Sequence, residues 1–383
     1  MMKMLYAAGA MCLLTSGCGN AEEETSGPTK GFVETDDESR EDQENQEGAR
    51  DELTEDGNKD ENTQDENDEP INIVFAGDIM FEWSLEHTIE EHGPDYPFEY
   101  ISEAVSEADY AIANLETAVT DSEKPYDKPY ENSFNFKTDP ENLQGITNAG
   151  FDFVSLANNH TMDYREEGLM DTIHALDSFS LDYAGAGKNA EEAYAAQTIE
   201  INGETIHLLA FSQVLPTTTW YAGPDKPGLA SGYQEDRVIN LIEEAEEESD
   251  YVLVYMHWGN EGELYPEDET RNYAENMVNA GADAVVGAHP HVLQGFEFFD
   301  EQPVAYSIGN FLFPNYVEGP TAETGLLNIE LHNGDVNMSF NPWWIEGDQI
   351  IKREEEEQVA LMRSLEERSF GVTINGNHID PLS

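Results

Sequence analysis

Cysteine is almost absent: 383 residues contain two, Cys12 and Cys18, both near the start. Cys12 lies inside an apolar run that an export signal would lose, so the mature chain forms no disulfide and its stability must come from a core or from bound metal. Positive charge is scarce as well, with 17 Lys and Arg against 81 Asp and Glu and a formal net charge of −64. A chain so acidic repels a phosphate backbone, which excludes nucleic acid as a partner. Beyond the first 17 residues no stretch is apolar and long enough to span a bilayer.

What is present divides unevenly. Met1 to Gly17 holds one Lys, an apolar run and small residues before Cys18, the layout of an export signal of residues 1–18 that ends in a lipidation site. Cys18 is then the lipidated N-terminus, placing the protein on the outer face of the cell membrane; simple cleavage of the signal is the alternative. Residues 19–70 read as a disordered tether, because Ala21 to Pro70 carries 21 acidic and 4 basic residues with almost no large apolar ones. The rest divides into a domain over 71–345 and a C-terminal helix and tail over 346–383, the helix carrying Val359, Leu361, Met362 and Leu365 after the run Glu354 to Glu357. The 60 acidic and 12 basic residues beyond position 70 point to a halophilic surface, with cation gathering as the alternative.

The organising stretch is Phe151 to Asp163. An apolar strand, Phe151 to Ala157, stops at Asn158-Asn159-His160, and a helix begins near Arg165 with Leu169, Ile173, Leu176 and Phe179 at helical spacing. The Asn side chains can simply cap a turn. Similar strand ends recur, however. Ile71 to Gly77 ends at Asp78, which alternatively caps the next helix. Tyr110 to Leu115 ends at Glu116, Tyr251 to Met256 at His257, and Ala282 to Ala288 at His289-Pro290-His291. Two histidines one residue apart in extended backbone point to the same side. Phe134 to Phe136 reads as a short strand, residues 196–212 and 325–345 as hairpins turning at Asn202-Gly203 and Asn333-Gly334, and the loop from Val214 to Gly232 as a cover over the site.

Ligand-capable side chains immediately after strands suggest an α/β sheet with a site at its strand ends. Asp78, Glu116, Asn159, His160, His257, His289 and His291 form a mixed oxygen and nitrogen set without thiolates, suited to a divalent ion such as Mn, Zn or Fe. Such an ion activates water and polarises a carbonyl or phosphoryl oxygen, which is hydrolytic chemistry. Asp163 can orient His160, and Glu261 can orient His257 or act as a general base. Arg165, a rare cation near the cluster, and Asn310, after the strand Val304 to Ile308, are candidate substrate contacts.

The ordered series Gly77-Asp78-Ile79-Met80, Asn114-Leu115-Glu116, Ala157-Asn158-Asn159-His160 with Asp163, His257-Trp258-Gly259-Asn260-Glu261, Gly287-Ala288-His289-Pro290-His291 and Tyr306-Ser307-Ile308-Gly309-Asn310-Phe311 resembles the CapA family of poly-γ-glutamate capsule synthesis. The resemblance implies a calcineurin-like metallophosphoesterase fold, two mixed β-sheets face to face between helices. It implies Asp78, Asn159, His257, His289 and His291 as metal ligands and His160 as the histidine that assists the leaving group or the transition-state charge. The superfamily's Asp-x-His is Asp78-Ile79-Met80 here and its bridging Asp is Glu116, so one ion is expected, and two if Glu116 bridges. The implied partners are poly-γ-glutamate or a cell-wall polymer and the subunits of a membrane synthase. A non-catalytic scaffold subunit is the alternative function.

Overall fold

A computed structural model describes residues 69–129 and 133–382. The signal, Cys18 and nearly all of the acidic tether lie outside the described residues.

Hydrophobic strands alternate side chains between two faces, and here both faces are buried. Ile71, Ile73 and Phe75 of the strand Ile71–Ile79 enter one apolar cluster, whereas Val74 and Ala76 enter another. Tyr251, Leu253 and Tyr255 of Tyr251–His257 join the first cluster, whereas Val252, Val254 and Met256 face a third. The shared cluster is the layer where two sheets meet, and the Tyr255 hydroxyl donates across it to the Ala76 carbonyl at 3.0 Å. Helices Ser84–His92, Leu143–Asn148 and Arg165–Phe179 cover the outer face of one sheet. Helices Glu235–Glu246 and Asp268–Asn279 cover the other. The α/β architecture of two sheets between helices is therefore as expected.

Both sheets are mixed. In the ten-stranded sheet Ile71–Ile79 pairs parallel with Tyr110–Leu115 and Asn310–Leu312 and antiparallel with Glu323–His332. In the six-stranded sheet Tyr251–His257 runs parallel to both Glu204–Ser212 and Ala284–Ala288. The carboxyl ends of these parallel strands converge on one edge. Register breaks there: the pairing of the first strand with the second shifts between Phe75 and Asp78. Gly77 permits the break, since a Cβ on it would stand 1.9 Å from the Gly309 carbonyl oxygen.

Several elements differ from the sequence-based expectation. Phe134 to Phe136 is not a strand; the paired residues are Lys137–Thr138, because the Phe136 amide donates to the Asp163 carboxylate at 2.7 Å instead of entering a ladder. The strand inside Phe151 to Ala157 is only Phe153–Ser155, and those near 292–308 are Phe296–Phe299 and Gln302–Ala305. Both hairpins form, Gln197–Ile201 with Glu204–Ser212 and Glu323–His332 with Asp335–Glu346. After the helix Glu355–Arg368 the chain adds a further hairpin, Val372–Asn375 with His378–Pro381, whose second strand pairs with Asp335–Glu346. No described helix is long and apolar enough to cross a membrane.

Candidate metal centre and its cleft

Asp78 closes the first strand fully buried, with Oδ1 accepting from Asn114 Nδ2 at 2.7 Å and Oδ2 standing 3.2 Å from His291 Nδ1. The Asn114 amide also lies 3.4 Å from His257 Nδ1, and its Oδ1 accepts from Asn158 at 3.0 Å. Asn158 Oδ1 in turn accepts from the amides of His160 and Thr161, each at 3.0 Å, so it builds the turn that presents Asn159 and His160. His257 Nε2 and Asn159 Oδ1 lie 2.6 Å apart.

Glu116 is 1% exposed, and neither carboxylate oxygen has a hydrogen-bond partner. Histidines approach at longer range, His257 Nε2 at 3.5 Å from one oxygen and His291 Nδ1 at 3.9 Å from the other. Burial pushes the Glu116 pKa up, but the charges of His291 and then His257 outweigh it and hold the carboxyl below its ordinary range. The Nδ1 of buried His289 is also without a partner. Burial, aided by His257 and His291, drives its pKa well below the usual imidazole value, leaving a neutral nitrogen suited to a metal. Burial alone would lower His291 too, but Glu116 and Asp78 raise it to about 10.

Three sets of potential ligand atoms lie within 4.8 Å of one another: Glu116 with His257 and His289, Asp78 with Glu116 and His291, and Glu261 with His289 and His291. Glu116 belongs to two of them, the position a bridging carboxylate requires. Unpartnered buried carboxylate oxygens beside an unpartnered buried imidazole are costly unless a cation completes them, so these residues fit a divalent ion. Met80 lies wholly buried beside Phe136, Phe313 and Ile345, so it packs and does not ligate.

The two histidines after Ala284–Ala288 converge by a different route from the one expected. His289 and His291 have φ of 98° and 56°, so a left-handed turn, not extended alternation, brings them together. The His289 amide, 3.4 Å from Asp78 Oδ2, and a hydrogen bond of 2.9 Å from His291 Nδ1 to Asn310 Oδ1 accompany it.

His160 Nδ1 donates to Asp163 Oδ2 at 2.7 Å, the orientation expected of that pair. Asp163 is fully buried, and its other oxygen lies 2.5 Å from Lys128 Nζ. The Lys128 side chain is 4% exposed; burial lowers its pKa and Asp163 opposes the shift. Arg165 is elsewhere, its guanidinium donating to the Pro125 carbonyl, so Lys128 is the cation beside the cluster. Asn310 is also not in the cleft: it is buried, with its amide donating to the Thr321 and His291 carbonyls at 2.9 and 3.3 Å, and it holds His291 from behind. Glu261 is exposed and stands by His289 and His291, not by His257. Sequence reasoning missed Lys128 and gave Asn114 no role of its own, whereas the turn-capping role open to the Asn side chains is the one Asn158 fills.

The cluster opens into a cleft of about 770 Å³. Glu116, Asn159, His160, His289 and His291 line it on one side, and Val214, Leu215 and Pro216 of the loop expected to cover the site line it on another.

An α/β sandwich carrying a strand-end cluster of this kind defines a class of metal-site proteins. Residues 72–315 match the model of the bacterial capsule synthesis protein family PGA_cap, and the chain belongs to that family. It is 34% identical over 251 residues to the PGA biosynthesis protein CapA of Bacillus subtilis, covering 64% of each chain. It is 32% identical over 250 residues to the capsule biosynthesis protein CapA of Bacillus anthracis, covering 64% of this chain and 60% of that one. The chain thus spans about three-fifths of the length of these relatives. Among solved structures, a hypothetical protein of Thermus thermophilus aligns at 19% identity and TM-score 0.44 over 72% of this chain and 99% of that one. The sulfate thiohydrolase SoxB of Thermus thermophilus aligns at 10% identity and TM-score 0.43, over 77% and 60% respectively.

Proposed function

We propose that this protein is a metal-dependent hydrolase or transferase that acts on an amide or phosphoester during synthesis, attachment or release of a poly-γ-glutamate or related cell-surface polymer. The observation that carries the reading is Glu116, a buried carboxylate with two unpartnered oxygens set among His257, His289, His291 and Asp78. Asp78, Glu116, Asn159, His257, His289 and His291 would hold one or two divalent ions of the Mn, Zn or Fe kind. A bound ion supplies a Lewis acid and lowers the pKa of water. In this assignment the residues around it divide the remaining work. His160, with Nδ1 committed to Asp163, presents Nε2 as the proton donor or acceptor at the leaving group. Asn114 and Asn310 fix Asp78 and His291, and Glu261 at the cleft wall is placed to take a proton from an incoming nucleophile.

The compartment assigned here is the outer face of the cell membrane, with Cys18 lipidated and residues 19–70 a tether, on the strength of the sequence alone. Membrane synthase subunits are the corresponding partners, and the acidic surface suits high salt. Met80, buried in packing where the superfamily places a ligand, favours the second reading, a non-catalytic scaffold.

Metal analysis of the wild type beside Asp78→Asn and His291→Ala, followed by assays on γ-glutamyl amides and phosphodiesters, tests the proposal. Stoichiometric metal in the wild type, its loss in the variants and metal-dependent turnover are expected. A chain that retains no divalent metal refutes the hydrolase; one that holds metal but turns over neither substrate, with His160→Ala leaving capsule formation intact, favours the scaffold.

A further inference from the structure

One of the three ligand groupings reaches out of the buried cluster to an exposed residue. Glu261 offers a carboxylate oxygen within 4.8 Å of ligand atoms on His289 and His291. Its loop is tied to the segment that carries those histidines. The Gly262 amide donates to the carbonyl of Pro290, between the two histidines, at 2.8 Å, and the side-chain amide of buried Gln294 donates to the Glu263 carbonyl, also at 2.8 Å. Gly259 and Gly262, with φ of 83° and 77°, let the chain fold back on either side of Glu261. The backbone therefore presents this carboxylate to the cluster from a fixed position.

Taking the donors in turn separates two ion positions. Glu116, His257 and His289 form one grouping, and Asn159, whose Oδ1 lies 2.6 Å from His257 Nε2, adds a fourth donor to it. Asp78, Glu116 and His291 form another, which shares Glu116. The side chains beside this second grouping are already engaged. Met80 packs among Phe136, Phe313 and Ile345, Asn114 donates to Asp78 and accepts from Asn158, and Asn310 holds His291. His289 serves the first position, so what the third grouping adds to the second is Glu261 beside His291. Both oxygens of Glu116 and the Nδ1 of His289, each on a side chain more than nine-tenths buried, are without hydrogen-bond partners, which points to cations at the centre of these groupings.

We infer that Glu261 is a metal ligand, completing with Asp78, Glu116 and His291 a second divalent-ion position at the cleft side of the cluster. Three carboxylates and one imidazole are the harder donor set and suit Mn, whereas the first position, with two imidazoles, suits Zn or Fe. The inference rests on the reading of the cluster as a metal centre and names the residue that makes it binuclear. A carboxylate that binds an ion through one oxygen keeps the other for a proton, so this role is compatible with proton transfer from an incoming nucleophile.

Mn(II) alone is the probe. The full chain, Glu261→Gln and Glu263→Gln are stripped with a chelator, checked by circular dichroism and titrated with Mn(II) by calorimetry, and electron paramagnetic resonance spectra are taken at saturation. The wild type is expected to bind two ions and to show the spectrum of a spin-coupled pair. Glu261→Gln, a change at an exposed position, is expected to keep one ion at wild-type affinity, to bind the second about 100-fold more weakly and to show the spectrum of an isolated ion. Glu263→Gln removes the same charge from the same loop and is expected to behave as the wild type. The inference is overturned if the wild type binds a single ion, if Glu261→Gln binds two as the wild type does, or if Glu263→Gln weakens the second ion equally. Each of those results leaves a metal-dependent hydrolase standing, with Glu261 as a proton acceptor only. A wild-type chain that takes up no Mn, Zn or Fe removes the metal centre and this ligand with it.

Discussion

His160 Nδ1 and Asp163 Oδ2 are joined by a hydrogen bond of 2.7 Å, and the same carboxylate is paired through its other oxygen with Lys128 at 2.5 Å. One buried negative charge therefore serves two functions. It fixes the His160 ring, and it compensates an ammonium almost entirely removed from water.

Asp163→Asn should damage both. Removing the charge leaves Lys128 buried and unpaired, a loss of about 3–5 kcal/mol in stability, whereas Lys128→Met together with Asp163→Asn should recover much of it. Activity, where assayed, should fall by about 10²–10⁴-fold in either background, because the ring loses its orienting acceptor. Denaturant unfolding of the single and double variants checks the coupling; additive losses would show that Lys128 and Asp163 do not depend on each other.

Glu116→Gln keeps the shape of the side chain but removes the charge shared by two of the ligand groupings. The expected outcome is loss of bound divalent metal after dialysis, with the affinity of any remaining ion down by about 100-fold or more. Inductively coupled plasma analysis of wild type and variant, dialysed side by side, gives the answer, and equal metal content in the two would remove Glu116 from the centre.

Much of the centre was legible because strands end abruptly. Asp78, Glu116, His257 and His289 each follow an apolar run, and a parallel sheet brings such ends to one edge whatever their distance in sequence. The geometry within that edge was not legible. The left-handed turn that gathers His289 and His291 depends on non-glycine residues with positive φ, which no local pattern announces. Lys128 sits in a segment without periodicity, and Arg165 looked the better cation only because its sequence position is nearer His160. Asn310 was a candidate substrate contact because it follows an apolar strand, but tertiary packing buries it behind His291. Layer assignment was hidden for another reason: with both faces of each sheet covered, strands such as Tyr251–His257 are apolar throughout, and alternation cannot say which face meets the other sheet.

Asp283 offers a pH-dependent test away from the centre. Burial raises its pKa to about 6, although its carboxylate accepts from the Val252 amide at 2.8 Å. A folded-state pKa above the unfolded value means that stability is complete below the ordinary carboxyl range and declines as pH rises through about 6. Asp283→Asn keeps an acceptor for Val252 and removes the charge. It should stabilise the protein by about 2–3 kcal/mol at pH 7.5, from 1.36 kcal/mol per pKa unit, and by nothing near pH 3.5. Chemical denaturation of both proteins across this range checks the sign, and a difference that grows toward acid would contradict it.

Salt should stabilise the folded chain. With 60 acidic and 12 basic residues beyond position 70, folding concentrates like charge, and the repulsion acts over a screening length of about 10 Å at 0.1 M salt but about 3 Å at 1 M. Each kcal/mol of relieved repulsion is worth about 2–4 °C in Tm for a domain of this order of size. Buried pairs such as Lys128 with Asp163 are screened far less than surface charge, so the rise should be nearly the same in the Lys128→Met, Asp163→Asn double variant. Melting curves across a sodium chloride series decide the matter. A flat or falling Tm would mean that surface carboxylates already hold enough counterions at low salt, and the acidic composition would then need the cation-gathering explanation in place of salt adaptation.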